Sequence, residues 1–496
     1  TLRGLYGADV TGSLTFDPVW ALSALAITFA GTALAGAQAL WTVVRLPLLA
    51  SARPRAWARA SAVQIRIQLG AACALLAVAT VAAVYGSSLV AGFACLAALL
   101  LGAALALPAF LLTMLGALAR LVRGVMSEWL VADARQQVPA LSLALMALLL
   151  ALAANIGVGT MVGAFRGTFV GWLDQRLASE LYVTARSAEE AAAMQTYLAD
   201  RADAVLPIWS VEGRAADQAA DIFGIKDHPT YRNHWPLLAQ TPDAWDRVAA
   251  SQGALINEQL ARRADLWPGS ELRLGPEWTL PVVGVYSDYG NPRAQVITSF
   301  DHLRARYPDA PILRYAVRTD PNTVEALRRD LSAAFDLPAS STINQDEVKA
   351  FSLRVFDQTF VVTAALNVLT LGIAALAMLT SLLTLAQMRL PQIAPVWALG
   401  HTPRQIAGME LARAGLLACL TFVMALPLGL ALAWVLLAIV NVQAFGWRIP
   451  MQIFPADWLR LGGLALLAAL LAALWPAWRV LRLPPARLLG SFASDR

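Results

Sequence analysis

Only two lysines, Lys226 and Lys349, occur in the 496 residues, and neither follows a glycine-rich loop. A phosphate-cradling loop of the Walker A type requires such a lysine, so any ATP hydrolysis belongs to another subunit. Charge is scarce as well: 14% of residues are charged and 58% hydrophobic, against about 25% and about 45–50% in soluble domains, so a bilayer solvent is implied. Cys73, Cys95 and Cys419 are the three cysteines. All lie in apolar runs without the spacing of a disulfide framework or a zinc site, and they read as small core residues. The net charge of +5 fits Arg-rich cytoplasmic loops better than a nucleic-acid surface, and no nucleic-acid partner is expected. No Asp, Glu, Lys, Arg or His lies near the middle of any apolar run. A central charge costs about 2.5–3.5 kcal/mol on insertion scales, and ion-coupled transporters bear that cost, so secondary transport loses ground.

Seven runs come near the roughly 20 apolar residues needed to cross a bilayer: 18–44, 67–86, 89–118, 139–165, 358–387, 412–441 and 459–481. The polar turn at Tyr85, Gly86, Ser87 and Ser88 makes the second and third a helical hairpin. Arg45, Arg53, Arg55, Arg59 and Arg66, with no acidic residue among them, place the segment after the first run in the cytoplasm. Counting forward, 119–138, 388–411 and the tail from Arg482 fall inside, and the long stretch 166–357 falls outside. The chain begins at Thr1 with no cleavable signal, and truncation is expected.

The first run opens on Phe16 and Trp20 and closes on Trp41, Arg45, Leu46 and Pro47. The last opens on Phe454 and Trp458 and closes on Trp478, Arg482, Leu483 and Pro484, which reads as an internal repeat. Outside the membrane a mixed α+β domain is expected. Its strands are placed at 181–183, 205–213, 279–286, 294–298 and 312–318, and its helices at 187–202, capped by Ser187, 257–264 and 321–335. His228 and His234, with Tyr231 and Asp227, lack the further ligands of a metal site and read as ordinary loop residues. No serine lies in a nucleophile elbow, and no catalytic residue is assigned. Segments 166–177 and 346–357 permit helix and run directly into membrane spans, forming a two-helix stalk about 18 Å high at about 1.5 Å per residue.

The cytoplasmic loop from Arg389 to Ile406 reads as a short helix, a stop at Gly400 and a second helix after Thr402-Pro403, a shape suited to a groove in a soluble partner. Arg389, Ile393, Ala398, Leu399, Gly400, Arg404 and Glu410 match the docking-loop pattern of the FtsX-like permeases of the MacB superfamily of ABC transporters. Gln392 replaces the usual Glu, and Pro391 and Pro395 depart from the pattern. Ala178 to Val183 resembles the family's entry to its outer domain. Ile256 to Ala261, Pro268-Gly269-Ser270 and Val282 to Tyr286 resemble that domain's signature, and Trp475 to Arg479 with Pro484-Pro485-Ala486 its closing helix.

The resemblance implies an integral membrane helical bundle of about seven transmembrane helices with one extracytosolic α+β domain on a two-helix stalk. It divides the chain into the last helix of an incomplete first half (1–49), a linking hairpin (50–124) and an interfacial helix, span and stalk (125–177). The outer domain (178–345) follows, then a stalk and three spans carrying the docking loop (346–490). In the ten-helix, two-half type the missing part is three helices and a first outer domain. The implied role is the non-enzymatic permease subunit of an inner-membrane ABC transporter. It docks a cytoplasmic ABC ATPase dimer, which binds ATP-Mg, through Arg389, Gln392, Ile393, Trp397, Leu399, Gly400, Arg404 and Glu410. The chain itself needs no cofactor or metal, and an envelope or periplasmic protein is a further implied partner. The competing reading is a membrane-anchored envelope sensor or scaffold without ATP coupling.

Overall fold

A computed structural model describes residues 54–388 except Gly290 and Pro292, then Trp397 and 399–482, with scattered positions between 18 and 33. The span expected over 18–44, the first copy of the repeat, and Arg389, Gln392 and Ile393 of the docking loop therefore lie outside the described residues or almost wholly so. Among the described residues six helices are long and apolar enough to cross a membrane: Val63–Tyr85, Leu89–Leu121, Val125–Gln175, Ala365–Thr384, Pro403–Phe445 and Pro455–Leu481.

Helices α1 (Pro54–Tyr85) and α2 (Leu89–Leu121) form the hairpin, with Ser88 capping α2 by accepting the Ala91 N–H. Helix α3 (Val125–Arg176) is one piece of 52 residues, about 78 Å at about 1.5 Å per residue. The separate interfacial helix, span and stalk expected here are thus continuous. Pro139 lies inside α3, where neighbouring helices tolerate the lost hydrogen bond.

The outer domain follows. Its sheet contains β1 (Leu181–Thr184), β2 (Ala204–Ala215), β3 (Gln218–Ile225), β4 (Leu237–Gln240), β5 (Ala254–Asn257), β6 (Glu271–Gly275), β7 (Trp278–Tyr286), β8 (Ala294–Ser299), β9 (Arg314–Arg318) and β10 (Thr342–Asn344). The order is β10-β1-β9-β2-β3-β8-β5-β7-β4, with β6 on the flank of β7. Helices α4 (Ala188–Ala199), α5 (Pro229–His234), α6 (Ala244–Ala249), α7 (Glu258–Ala264), α8 (Phe300–Arg306) and α9 (Val324–Phe335) cover it. The long β2 joins two lobes, pairing β9 through 204–208 and β3 through 209–215. One lobe buries Leu181, Val183, Met194, Leu198, Val317 and Leu331 between β1, β9, α4 and α9. The other closes around Trp209, Ile222, Ile256, Leu272, Val285 and Val296. Ser187 caps α4 as expected, accepting the Glu190 N–H.

The chain re-enters the membrane through α10 (Gln345–Met388), a further unbroken helix of 44 residues. Helix α11 (Pro403–Val435), a π-turn at Leu436–Val440, α12 (Asn441–Phe445) and α13 (Pro455–Leu481) complete the bundle. Leu107 and Leu111 of α2, Leu145 and Leu149 of α3, Leu371 of α10, Leu417 of α11 and Ala469 of α13 share one core. Val81, Leu101, Leu143, Val368, Val423 and Leu471 are exposed on the outward faces. Apolar residues on every face of a helix indicate a lipid surround rather than water.

Candidate functional site

Two junctions govern what this architecture can transmit: the cytoplasmic end, where a partner would act, and the outer end, where helices meet the α+β domain.

At the cytoplasmic end Gly400 adopts φ +96°, a left-handed conformation that stops the turn containing Trp397 and suits glycine. The Gly400 N–H donates to the Trp397 carbonyl at 2.9 Å. Two residues on, Thr402 begins α11 with a capping box: its hydroxyl accepts the Gln405 N–H, and the Gln405 side chain accepts the Thr402 N–H, with Pro403 in the first turn. Leu399 is 83% exposed, Trp397 is half-buried and Arg404 is exposed. Leu399 and Arg404 thus stand out from the bundle beside a partly covered tryptophan.

Glu410 stands apart from this group. It is buried, 8% exposed, and holds the Arg413 guanidinium through two hydrogen bonds, one of 3.2 Å. Arg413, 2% exposed, reaches across to Asp133 of α3 at 2.6 Å, and the Gln137 side chain donates to Asp133 at 2.9 Å. The structure thus turns Glu410 towards Arg413 and α3, inside the bundle, apart from the exposed Leu399 and Arg404. Asp133 and Arg413 went unread in the sequence, because 280 positions separate them. The i, i+3 spacing of Glu410 and Arg413 was the available signal.

Towards the outer domain α3 and α10 lie side by side. Phe356 of α10 stacks between Phe165 and Phe169 of α3, with centroids 5.5 and 5.2 Å away and planes within 15°. Leu173, Trp172, Leu177 and Leu353 extend this contact. Arg166 and Asp357 form a two-point ion pair, the shorter bond being 2.8 Å, and Lys349 pairs with Asp174. The hydrogen bond from Arg166 holds the Asp357 carboxyl below the usual carboxylate range. Both partners of that pair are about half exposed, at 50% and 52%, so it contributes about 0–1 kcal/mol. Stacked aromatic pairs add about 0.5–1.5 kcal/mol each beyond their buried area. Aromatic packing, more than charge, holds the stalk closed.

The outer domain is held at the top of the stalk and also, beyond it, on the loop after α12. Trp235 donates its indole N–H to the Gln175 carbonyl at 2.8 Å. The loop after α12 carries Trp447, buried with Ala164, Leu437 and Ile449 and covered by Tyr289 of the domain. Next to it the Arg448 N–H donates to Glu258 at 3.1 Å. Glu258 is 1% exposed and also bonds Arg262. The Ile256 to Ala261 segment, read from the sequence as a domain signature, therefore seats the domain on this loop as well as closing its own core.

The residues weighed as a metal site have structural partners. His228 caps α5 by accepting the Thr230 N–H, Asp227 pairs with Arg232 at 2.7 Å, His234 hydrogen-bonds the Thr230 carbonyl, and Tyr231 packs edge-on against Trp235. Among the described residues no group of three or more His, Cys, Asp or Glu side chains is disposed to hold a metal. Asn155 bonds across helices: its amide donates to the Asn367 carbonyl at 3.3 Å and accepts from Thr370 at 3.1 Å.

Comparison with known proteins agrees with this layout. Residues 141–334 match the MacB-like periplasmic core domain, and residues 364–485 match the FtsX-like permease C-terminal domain. The chain is 29% identical over 374 residues to an uncharacterized ABC transporter permease protein of Mycobacterium tuberculosis, an alignment covering 69% of this chain and 42% of that protein. It thus spans less than half the length of that relative. It is also similar to the extracellular domain of a noncanonic ABC-type transporter, YknZ, from Gram-positive bacteria, at 13% identity and a TM-score of 0.25, over 34% of this chain and 98% of that domain. With a MacB-like periplasmic core set between apolar helices and an FtsX-like permease domain after it, this multi-pass membrane protein belongs to the FtsX/MacB family of ABC transporter permeases.

Proposed function

We propose that the chain is the permease subunit that carries ATP-driven movement from a separate cytoplasmic ATPase to the periplasmic core domain, for export or mechanotransmission across a bacterial inner membrane. ATP-Mg is bound and hydrolysed by the partner, expected as a dimer. The reading rests chiefly on the two unbroken helices, 52 and 44 residues long, that run from the cytoplasmic side into the outer domain and are stacked on each other beyond the membrane. A helix that long transmits a push or tilt with little loss, whereas a membrane anchor needs no such continuity.

In this reading Arg389, Gln392, Ile393, Trp397, Leu399, Gly400 and Arg404 form the docking face, and Glu410 ties that face to α3. The chain then corresponds to the later part of a ten-helix, two-half permease, and an envelope or periplasmic protein is its outer partner. The test is purification of the tagged full-length protein from native membranes in mild detergent, followed by identification of what accompanies it. A stoichiometric ATPase with a Walker A motif, lost in a Leu399→Asp variant that stays monodisperse, is the expected result. Recovery of an envelope protein without any ATPase would replace the proposal with a scaffold.

A further inference from the structure

The α3–α11 interface contains one charged cluster in an otherwise apolar contact, and its position gives it a task. Around Ile156 and Gly429 these helices approach closely: a side chain at Gly429 would collide with Ile156, and one at Gly157 would press on Leu432. Small residues set the distance between two membrane helices but resist sliding weakly, because one methyl contact exchanges for another. The cluster of Asp133, Arg413 and Glu410 behaves differently. Its side chains are 9%, 2% and 10% exposed. Sliding α11 along α3 would part Arg413 from Asp133 in a setting where an unpaired charge is strongly disfavoured. The contact has a paired arrangement and no comfortable intermediate, which fixes the axial register of the two helices.

The two ends of this joint lead to the two functional ends of the protein. On α11, Glu410 and Arg413 lie about two turns beyond the capping box that anchors the helix to Gly400 and Leu399. On α3, Asp133 precedes about 63 Å of unbroken helix ending at Gln175, whose carbonyl accepts the Trp235 indole of the outer domain. We propose that Asp133, Arg413 and Glu410 are the joint through which displacement of the docking face enters α3, and so are positioning residues for coupling. The proposal rests on the permease reading above.

Asp133→Asn and Arg413→Lys test it in the full-length protein with its ATPase, reconstituted in nanodiscs. Asparagine removes the charge that Arg413 grips, and lysine keeps its own charge but loses the planar fork that holds two carboxylates at once. The readout is the distance between spin labels at Gly171→Cys on α3 and Arg354→Cys on α10, with and without ATP, alongside the rate of hydrolysis. The expected result is retained docking and hydrolysis with the ATP-dependent distance shift lost in both variants. A wild-type-sized shift in either folded variant would overturn the proposal, and so would loss of ATPase docking, which would make the cluster a support for the docking face alone. If Asp133→Asn fails to fold, Arg413→Lys decides by the same criteria. Absence of any shift in the unsubstituted protein would refute the permease reading itself, and the joint with it.

Discussion

Replacing Phe356 by alanine removes the side chain on which the stalk is closed, and the structure sets the size of the effect against that of the neighbouring ion pair. Phe356 is 6% exposed and stacks on two rings of α3. Truncating a buried phenylalanine to alanine costs about 3–5 kcal/mol through lost burial and the cavity left behind. Arg166→Ala removes an ion pair whose partners are half exposed, worth about 0–1 kcal/mol. Amide hydrogen exchange over 166–177 and 346–357 reads these differences as local opening. At about 1.4 kcal/mol per factor of ten, Phe356→Ala should speed exchange there by about 10²-fold to about 4 × 10³-fold, and Arg166→Ala by no more than about 5-fold. The intramembrane parts of α3 and α10 should keep their protection in both. Equal acceleration by the two variants, or none from Phe356→Ala, would refute the view that aromatic packing closes the stalk.

Glu258→Ala leaves the Arg448 N–H without its acceptor and should destabilise the seat of the domain by about 1–3 kcal/mol; a lower unfolding temperature with more rapid proteolysis of the 446–454 loop is the expected observation. Gly400→Ala places a side chain at φ +96°, a strain of about 1–3 kcal/mol, and should weaken ATPase association while leaving the fold of the outer domain unchanged by circular dichroism. Asn155→Ala removes two hydrogen bonds between membrane helices and should lower stability by only about 0.6 kcal/mol for each in a detergent unfolding titration. The stalk ion pair has a fixed pH signature. Because the folded-state pKa of Asp357 is lowered, its contribution is complete above the ordinary carboxylate pKa of about 3.9 and is lost only as the pH falls through the lowered value. Stalk protection in Phe356→Ala, where this pair is left to act, should therefore be the same at pH 8 and pH 5 after correction for intrinsic exchange.

Much of the architecture was legible because the bilayer simplifies the code: among the described residues six of the expected long apolar runs became helices. The hairpin at Gly86–Ser88 and the Ser187 cap were readable for the same local reasons that make them form. In the outer domain, β1, β2, β7, β8 and β9 fell where strands were expected. Strand β3 did not, since its hairpin turns on Ala216 and Asp217, both at positive φ, without the glycine that usually marks such a turn. Strand β5 is buried at every position, so it carries no alternation to read. The expected boundary between interfacial helix and span at 139 is absent: α3 runs on through Pro139, because a proline's lost bond is made good by packing that local sequence does not reveal. In the loop before α11 the stop at Gly400 and the helix start after Thr402-Pro403 were readable. The inward turn of Glu410 was not, since its orientation depends on Arg413 and on Asp133 far back in the chain.

The most direct test of coupling is the distance between labels at Gly171→Cys and Arg354→Cys, measured by pulsed electron resonance on the full-length protein with its ATPase in nanodiscs, with Cys73, Cys95 and Cys419 replaced by alanine. A distribution that is narrow without nucleotide and shifts when ATP is trapped on the partner is the result expected if the stalk carries the movement. An identical distribution in both states, while the ATPase turns over normally, would contradict it.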